Sequence, residues 1–222
     1  MTQTPSIIVT DNFYSNPMEV REFALKQDFY VTGGSKFPGY RTQSYATDEV
    51  KDLIQSYIEP YGMEIDTWNN KPDDYNGTFH YTTAENRSWI HMDNNEREYM
   101  AGVLYLTPNA PFSAGTGFFR PKINEETEPL PDIPLSHGYL VRPGWPPGFC
   151  PRRGFRVGAW PDGRFYCMDM TKWELVDRIG NVFNRLVIYN SNIWHTGMDL
   201  FGDCKENGRL SQTFFFKPKK KG

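Results

Sequence analysis

The stretch Ser88-Trp89-Ile90-His91-Met92-Asp93, answered far downstream by Asn192-Ile193-Trp194-His195, decides how this chain is read. Ser88 to Asp93 reads as a short buried strand. Successive strand side chains alternate faces, so His91 and Asp93 project the same way and can grip one atom together. A second histidine from another strand completes a set of two imidazoles and one carboxylate. That set fills one face of an octahedron and suits Fe(II), leaving positions for oxygen and an organic co-substrate. Neither ligand type is consumed by an oxidant as a thiolate would be. Taken alone, the pattern leaves a plainer alternative, in which Asp93 caps the turn into Asn94-Asn95 and His91 is a hydrogen-bonded core histidine.

A second constellation lies fourteen positions beyond His195, after a glycine-containing loop from Gly197 to Gly208. Arg209 and Ser211 share a strand face for the same reason as His91 and Asp93. A guanidinium pairs bidentately with a carboxylate, and a nearby hydroxyl supplies a third hydrogen bond. Buried in a barrel, such a cation requires an anionic partner. A dicarboxylic acid that chelates a metal at one end and meets Arg209 at the other satisfies both sites. The alternative is a salt bridge from Arg209 to a glutamate such as Glu85.

The remainder of the sequence sets the frame for these residues. At 222 residues the chain is most simply one domain with elaborations, long enough to bury a substantial core. Aromatics make up 16%, and proline and glycine are frequent, which favours short strands and many turns. A formal charge of −3 argues against nucleic-acid binding by bulk charge. The three cysteines, Cys150, Cys167 and Cys204, form neither a disulfide framework nor a zinc knuckle, so a reducing, cytoplasmic compartment is expected. Met1 to Thr10 lacks the features of a signal peptide, and no apolar run is long enough for a membrane span.

Strands are expected at Ser6–Thr10, Met63–Trp68, Thr78–Thr82, Met100–Thr107, Gly117–Arg120, Arg185–Tyr189 and Arg209–Phe216. A helix should follow Ser15 or Asn16, with Pro17 in its first turn and Val20, Phe23, Ala24 and Gln27 along one side. Thr47 caps a second helix, in which Val50, Leu53, Ile54, Tyr57 and Ile58 form one apolar face. Arg164–Met170 is a further strand candidate, Thr171–Ile179 a short helix closed by Gly180, and Lys217–Lys221 a basic, solvated tail. Trp145, Phe149, Arg152, Arg153, Phe155, Arg156 and Trp160 interleave cations with aromatics, either as a surface for an anionic or aromatic substrate or as a self-pinned loop. Trp89, on the face of His91 and Asp93, either walls the metal pocket or is a packed core indole. His80 and His137 are not chosen as ligands.

Tyr81, His91-Met92-Asp93, Leu104-Tyr105-Leu106-Thr107, Gly115-Thr116-Gly117-Phe118, Asn184-Arg185-Leu186-Val187-Ile188, His195 and Arg209-Leu210-Ser211 come in one order. That order resembles the 2-oxoglutarate- and Fe(II)-dependent dioxygenases, nearest the prolyl 4-hydroxylase-like branch. The resemblance implies a mainly β protein with a double-stranded β-helix (jelly roll, cupin-like) core and supporting helices. It implies one domain over 1–222, with 1–62 as supporting helices and strand, 63–120 and 181–217 as core, and 121–180 as insertion or lid. It implies His91, Asp93 and His195 as catalytic iron ligands, and Arg209, with Ser211, as partner of the distal 2-oxoglutarate carboxylate. Tyr105 would hydrogen-bond that carboxylate, and Tyr81 would line the co-substrate pocket. The implied reaction consumes O2 and 2-oxoglutarate, releases succinate and CO2, and hydroxylates or oxidatively demethylates a primary substrate.

The long segment between Phe119 and Asn184 and the long loop before Arg209 depart from simpler members, so prolyl hydroxylation is not carried over. The primary substrate stays open, a small molecule or peptide ahead of nucleic acid, with no membrane partner, as does the oligomeric state. The competing readings are a cupin-like binding protein without turnover and a hydrolase that holds zinc on the same three residues.

Overall fold

The computed structural model describes residues 5–31, 38–94, 98–122 and 170–221, apart from the side chain of Lys172. His137, Cys150, Cys167, the strand candidate over 164–169 and the aromatic-cation cluster from Trp145 to Trp160 lie outside the described residues.

The described residues form ten strands and two α-helices in chain order: β1 (Ile7–Thr10), α1 (Pro17–Leu25), β2 (Tyr40–Arg41), α2 (Asp48–Ile58), β3 (Met63–Trp68), β4 (Phe79–Thr82), β5 (Met100–Tyr105), β6 (Thr116–Pro121), β7 (Trp173–Ile179), β8 (Leu186–Asn190), β9 (Trp194–Gly197) and β10 (Arg209–Lys220). They form two antiparallel sheets. The larger runs β1-β8-β5-β10-β4-β2, with β3 pairing the far half of β10; the smaller runs β7-β6-β9.

Period-two alternation in the large sheet sorts its residues between two environments. Met100 and Leu104 of β5, Leu186 and Ile188 of β8, and Leu210, Phe214 and Phe216 of β10 pack with Ala24, Ile54 and Ile58 of the helices. The intervening residues Ala101, Val103, Tyr105, Val187 and Tyr189 pack against Phe118 of the small sheet. Helix α2 is supported locally as well, because the Thr47 hydroxyl accepts from the Val50 amide at its N-terminus.

Several elements differ from the sequence reading. Ser88–Asp93 is not a regular strand; among these residues His91 alone makes a bridge, to His195. On α1 the expected face holds in part: Ala24 is buried and Val20 packs on the core, but Phe23 is exposed while Arg21 is buried, donating to the carbonyls of Leu106 at 2.7 Å and Glu206 at 2.5 Å. Trp173–Ile179 is a strand, not a helix. It pairs with β6 along its length, and Arg120 clasps Glu174 through two bonds of 2.7 and 2.9 Å, so tertiary pairing overrides helix propensity. The insertion expected over 121–180 therefore contributes a strand to the small sheet. The basic tail is strand as well: Lys217 to Lys220 continue β10 against β3, and Lys217, Lys219 and Lys221 pair with Glu98, Asp66 and Glu59.

Candidate metal and anion site

The His91 amide donates to the His195 carbonyl, and the His195 amide donates back, so one antiparallel bridge places the two histidines side by side. Their ring centroids are 4.5 Å apart. Each imidazole is oriented by the same device. His91 Nδ1 donates to the carbonyl of Trp89 at 2.9 Å, and His195 Nδ1 to that of Ile193 at 2.8 Å. A carbonyl only accepts, so each Nδ1 carries a proton and each Nε2 is turned inward, the atom that would ligate a cation. This is how metal-ligating histidines are commonly fixed.

Asp93 closes the group. Its Oδ1 lies 3.6 Å from His91 Nε2 and its Oδ2 lies 3.3 Å from His195 Nε2. One ligand atom from each of the three residues falls within 4.8 Å of the others. The Asp93 side chain is only 16% exposed. Burial works against its charge, but the two imidazoles outweigh that and hold the carboxyl well below its ordinary range. Burial likewise opposes a charged His91, and Asp93 reverses the direction, raising it. Two imidazole nitrogens and one carboxylate oxygen, converging without a thiolate, fit a divalent first-row cation.

The trio lines one part of a cavity of about 100 Å³. Arg209, at the start of β10, lines it too and is 6% exposed. Its Nε donates to the Ala114 carbonyl at 3.2 Å, and its guanidinium lies 5.2 Å from the centre of the Tyr105 ring. Among the described residues no carboxylate pairs with Arg209, Glu85 included. Ser211 faces the same cavity, as the alternation requires, with its hydroxyl donating to the His80 carbonyl at 3.3 Å.

Neither of the two tyrosines expected in the pocket is among the residues that line the cavity. Tyr105 is fully buried beside Arg209, and its hydroxyl pairs with that of Thr116 at 2.7 Å. Tyr81 is not brought to the cavity: it stacks on Tyr40 at 4.9 Å and meets Phe29 edge-on at 5.0 Å. The alternation of β4 turns His80 and Thr82 inward instead. His80 Nε2 donates to the Pro38 carbonyl at 2.7 Å, and His80 is not part of the His91, Asp93 and His195 group. Burial, followed by the charges of Arg41 and Arg209, pushes the His80 pKa well below its ordinary value. Trp89 does line the cavity.

Arg41 and Tyr189 are among the lining residues that escaped the sequence reading. Arg41, from the two-residue strand β2, reaches the cavity, where Tyr75 lies 5.6 Å from its guanidinium. Nothing in the sequence around Pro38-Gly39 marks it. Tyr189, the penultimate residue of β8, has its hydroxyl 3.0 Å from His195 Nε2 and 3.3 Å from Asp93 Oδ2. Burial, then the charge of Asp93, keeps this phenol well above its ordinary pKa and protonated. Its place two residues after Val187 puts the two on one strand face, but alternation alone does not make that face the cavity's.

The sequence matches the family model described as "Family of unknown function (DUF6445)" over residues 1–130 and 153–216. No curated protein matches it. Solved structures do. HygX from Streptomyces hygroscopicus, with nickel and 2-oxoglutarate bound, aligns at 11% identity and a TM-score of 0.52, covering 96% of this chain and 83% of that one. A prolyl hydroxylase from Trichoplax adhaerens, in complex with a hypoxia inducible factor peptide fragment, aligns at 13% identity and 0.51, covering 96% and 84%. The non-heme alpha ketoglutarate dependent epimerase SnoN from nogalamycin biosynthesis aligns at 10% identity and 0.50, covering 99% and 80%. At such identities the likeness is one of fold. Among the described residues, no helix is long and apolar enough to cross a membrane.

Proposed function

The chain belongs to the DUF6445 family of unknown function, and from that premise we propose that it is an Fe(II)- and 2-oxoglutarate-dependent oxygenase, a single domain built on a double-stranded β-helix. The observation that carries this reading is a pair of sites in one cavity: an inward-facing His91, Asp93 and His195 group, and a buried Arg209 with no described carboxylate partner. The fold shared with HygX, the Trichoplax prolyl hydroxylase and SnoN supports it.

In this reading His91, Asp93 and His195 would hold the iron, which would supply the O2 and 2-oxoglutarate chemistry that yields succinate, CO2 and an oxidised substrate. The chain's own residues do the rest. Arg209 meets the distal carboxylate of 2-oxoglutarate, and Ser211 adds a hydroxyl on the same strand face. Tyr105, its ring 5.2 Å from the guanidinium and its hydroxyl paired with Thr116, would add a hydrogen bond to that carboxylate. His80, kept neutral between Arg41 and Arg209, adds no competing charge to the anion site. The outcome is hydroxylation or oxidative demethylation of a small molecule or peptide.

Anaerobic addition of Fe(II) and 2-oxoglutarate tests this directly. A visible charge-transfer band, and succinate on admission of oxygen, are expected. Binding of 2-oxoglutarate without succinate would favour a cupin-like binding protein, and zinc retention with indifference to 2-oxoglutarate would favour a hydrolase.

A further inference from the structure

We infer that Tyr189 is a positioning residue of the metal centre: its hydroxyl donates to Asp93 Oδ2 and thereby leaves Oδ1 as the oxygen presented to the cation. The inference rests on the reading of His91, Asp93 and His195 as metal ligands.

The phenol has one proton and two acceptors within reach, His195 Nε2 at 3.0 Å and Asp93 Oδ2 at 3.3 Å. The Nε2 lone pair is the one a cation claims, because His195 Nδ1 is already spent on the Ile193 carbonyl. The carboxylate oxygen is then the remaining acceptor, and being ionised it is the stronger one. The two oxygens of Asp93 are already differentiated: Oδ1 faces His91, whereas Oδ2 faces His195 and Tyr189. Little freedom is left to lose. Tyr189 is buried on a strand flanked by β1 and β5, its ring 5.3 Å edge-on from Phe118 and 4.6 Å from the His195 imidazole. Hydrogen bonds of this outer kind typically govern metal affinity by 10- to 100-fold.

The test is Mn(II) titration of wild type and Tyr189→Phe by calorimetry, with the Fe(III)-loaded wild type examined by visible absorption. Tyr189→Phe should bind Mn(II) about tenfold more weakly, and Fe(III)-loaded wild type should lack an intense phenolate charge-transfer band. A merely packing role would lower the unfolding temperature without changing Mn(II) affinity. Equal affinities would overturn the inference alone, whereas a wild type that takes up no Mn(II) would overturn the metal site beneath it. A phenolate band in wild type would make Tyr189 a ligand, not a donor, and decides the matter even if the phenylalanine variant fails to fold.

Discussion

His91 and His195 are hydrogen-bonded to each other through their backbones, by reciprocal bonds of 3.0 and 2.9 Å, and it is this bridge that sets the spacing of their imidazoles. The bridge uses no side-chain atom. Either imidazole can therefore be removed without breaking the contact that joins the Trp89–Asp93 segment to β9.

Substituting His195→Ala should then leave far-ultraviolet circular dichroism unchanged while weakening Mn(II) binding at least about 100-fold, more than loss of an outer hydrogen bond. In wild type, Mn(II) at about 100 times its dissociation constant should add about 2.7 kcal/mol of stability, an increment the variant should lack. Retention of wild-type affinity would remove His195 from the ligand set.

Arg209→Ala should raise the Kd for 2-oxoglutarate by about 10- to 100-fold, the usual weight of charge-assisted hydrogen bonds. Metal content, measured by atomic emission, should not change, because Arg209 contacts Ala114 and Tyr105 and none of the three ligands. A fall in metal content along with 2-oxoglutarate binding would contradict the assigned role.

Asn184 offers a test of the scaffold. Its side chain accepts from the Tyr14 amide at 2.9 Å and donates to the Tyr14 carbonyl at 2.8 Å, and its φ is 64°. Asn184→Ala loses both bonds and keeps a strained left-handed backbone, for a cost of about 2–3 kcal/mol in chemical denaturation. Asn184→Gly loses the same bonds without the strain and should be about 1 kcal/mol more stable than the alanine variant. Equal stabilities would show that the positive φ is not what selects this residue.

The Asp11–Arg185 pair ties the end of β1 to the residue before β8 through bonds of 2.6 and 2.9 Å. The hydrogen bond from Arg185 lowers the Asp11 pKa. A depressed carboxylate stabilises the folded chain above its unfolded pKa, and that contribution is lost as pH falls through the folded value. Asp11→Asn should thus lower Tm near neutrality by the equivalent of less than about 1 kcal/mol, since the carboxylate is 48% exposed and screened. The difference should vanish in acid below the ordinary aspartate range. A gap that widened on acidification would have the wrong sign for this pair.

Local patterning carried much of the architecture. The apolar face of α2, its Thr47 cap and six of the seven expected strands beyond β1 follow from period and turn chemistry, with ends shifted by a residue or a few. The exact extent of β10 did not, since Lys217–Lys220 read as a solvated tail until β3 supplied acidic and backbone partners. Trp173–Ile179 failed for a related reason. Glu174, Leu175 and Arg178 tolerate a helix, and only the long-range ladder to β6 makes the segment a strand.

For the site, spacing alone placed His91 with Asp93 and Arg209 with Ser211, because a two-residue interval is a property of the extended chain. Alternation says which residues share a face, but not which face the cavity lies on. That choice waited for β4 to pair with β10 and β2, which turned His80 inward and Tyr81 out. The approach of Arg41 and Tyr189 to Asp93 was likewise decided only by tertiary structure, since each comes from a strand distant in sequence. Their positions are set by the hydrogen bonds and packing of neighbouring strands, which no local pattern encodes.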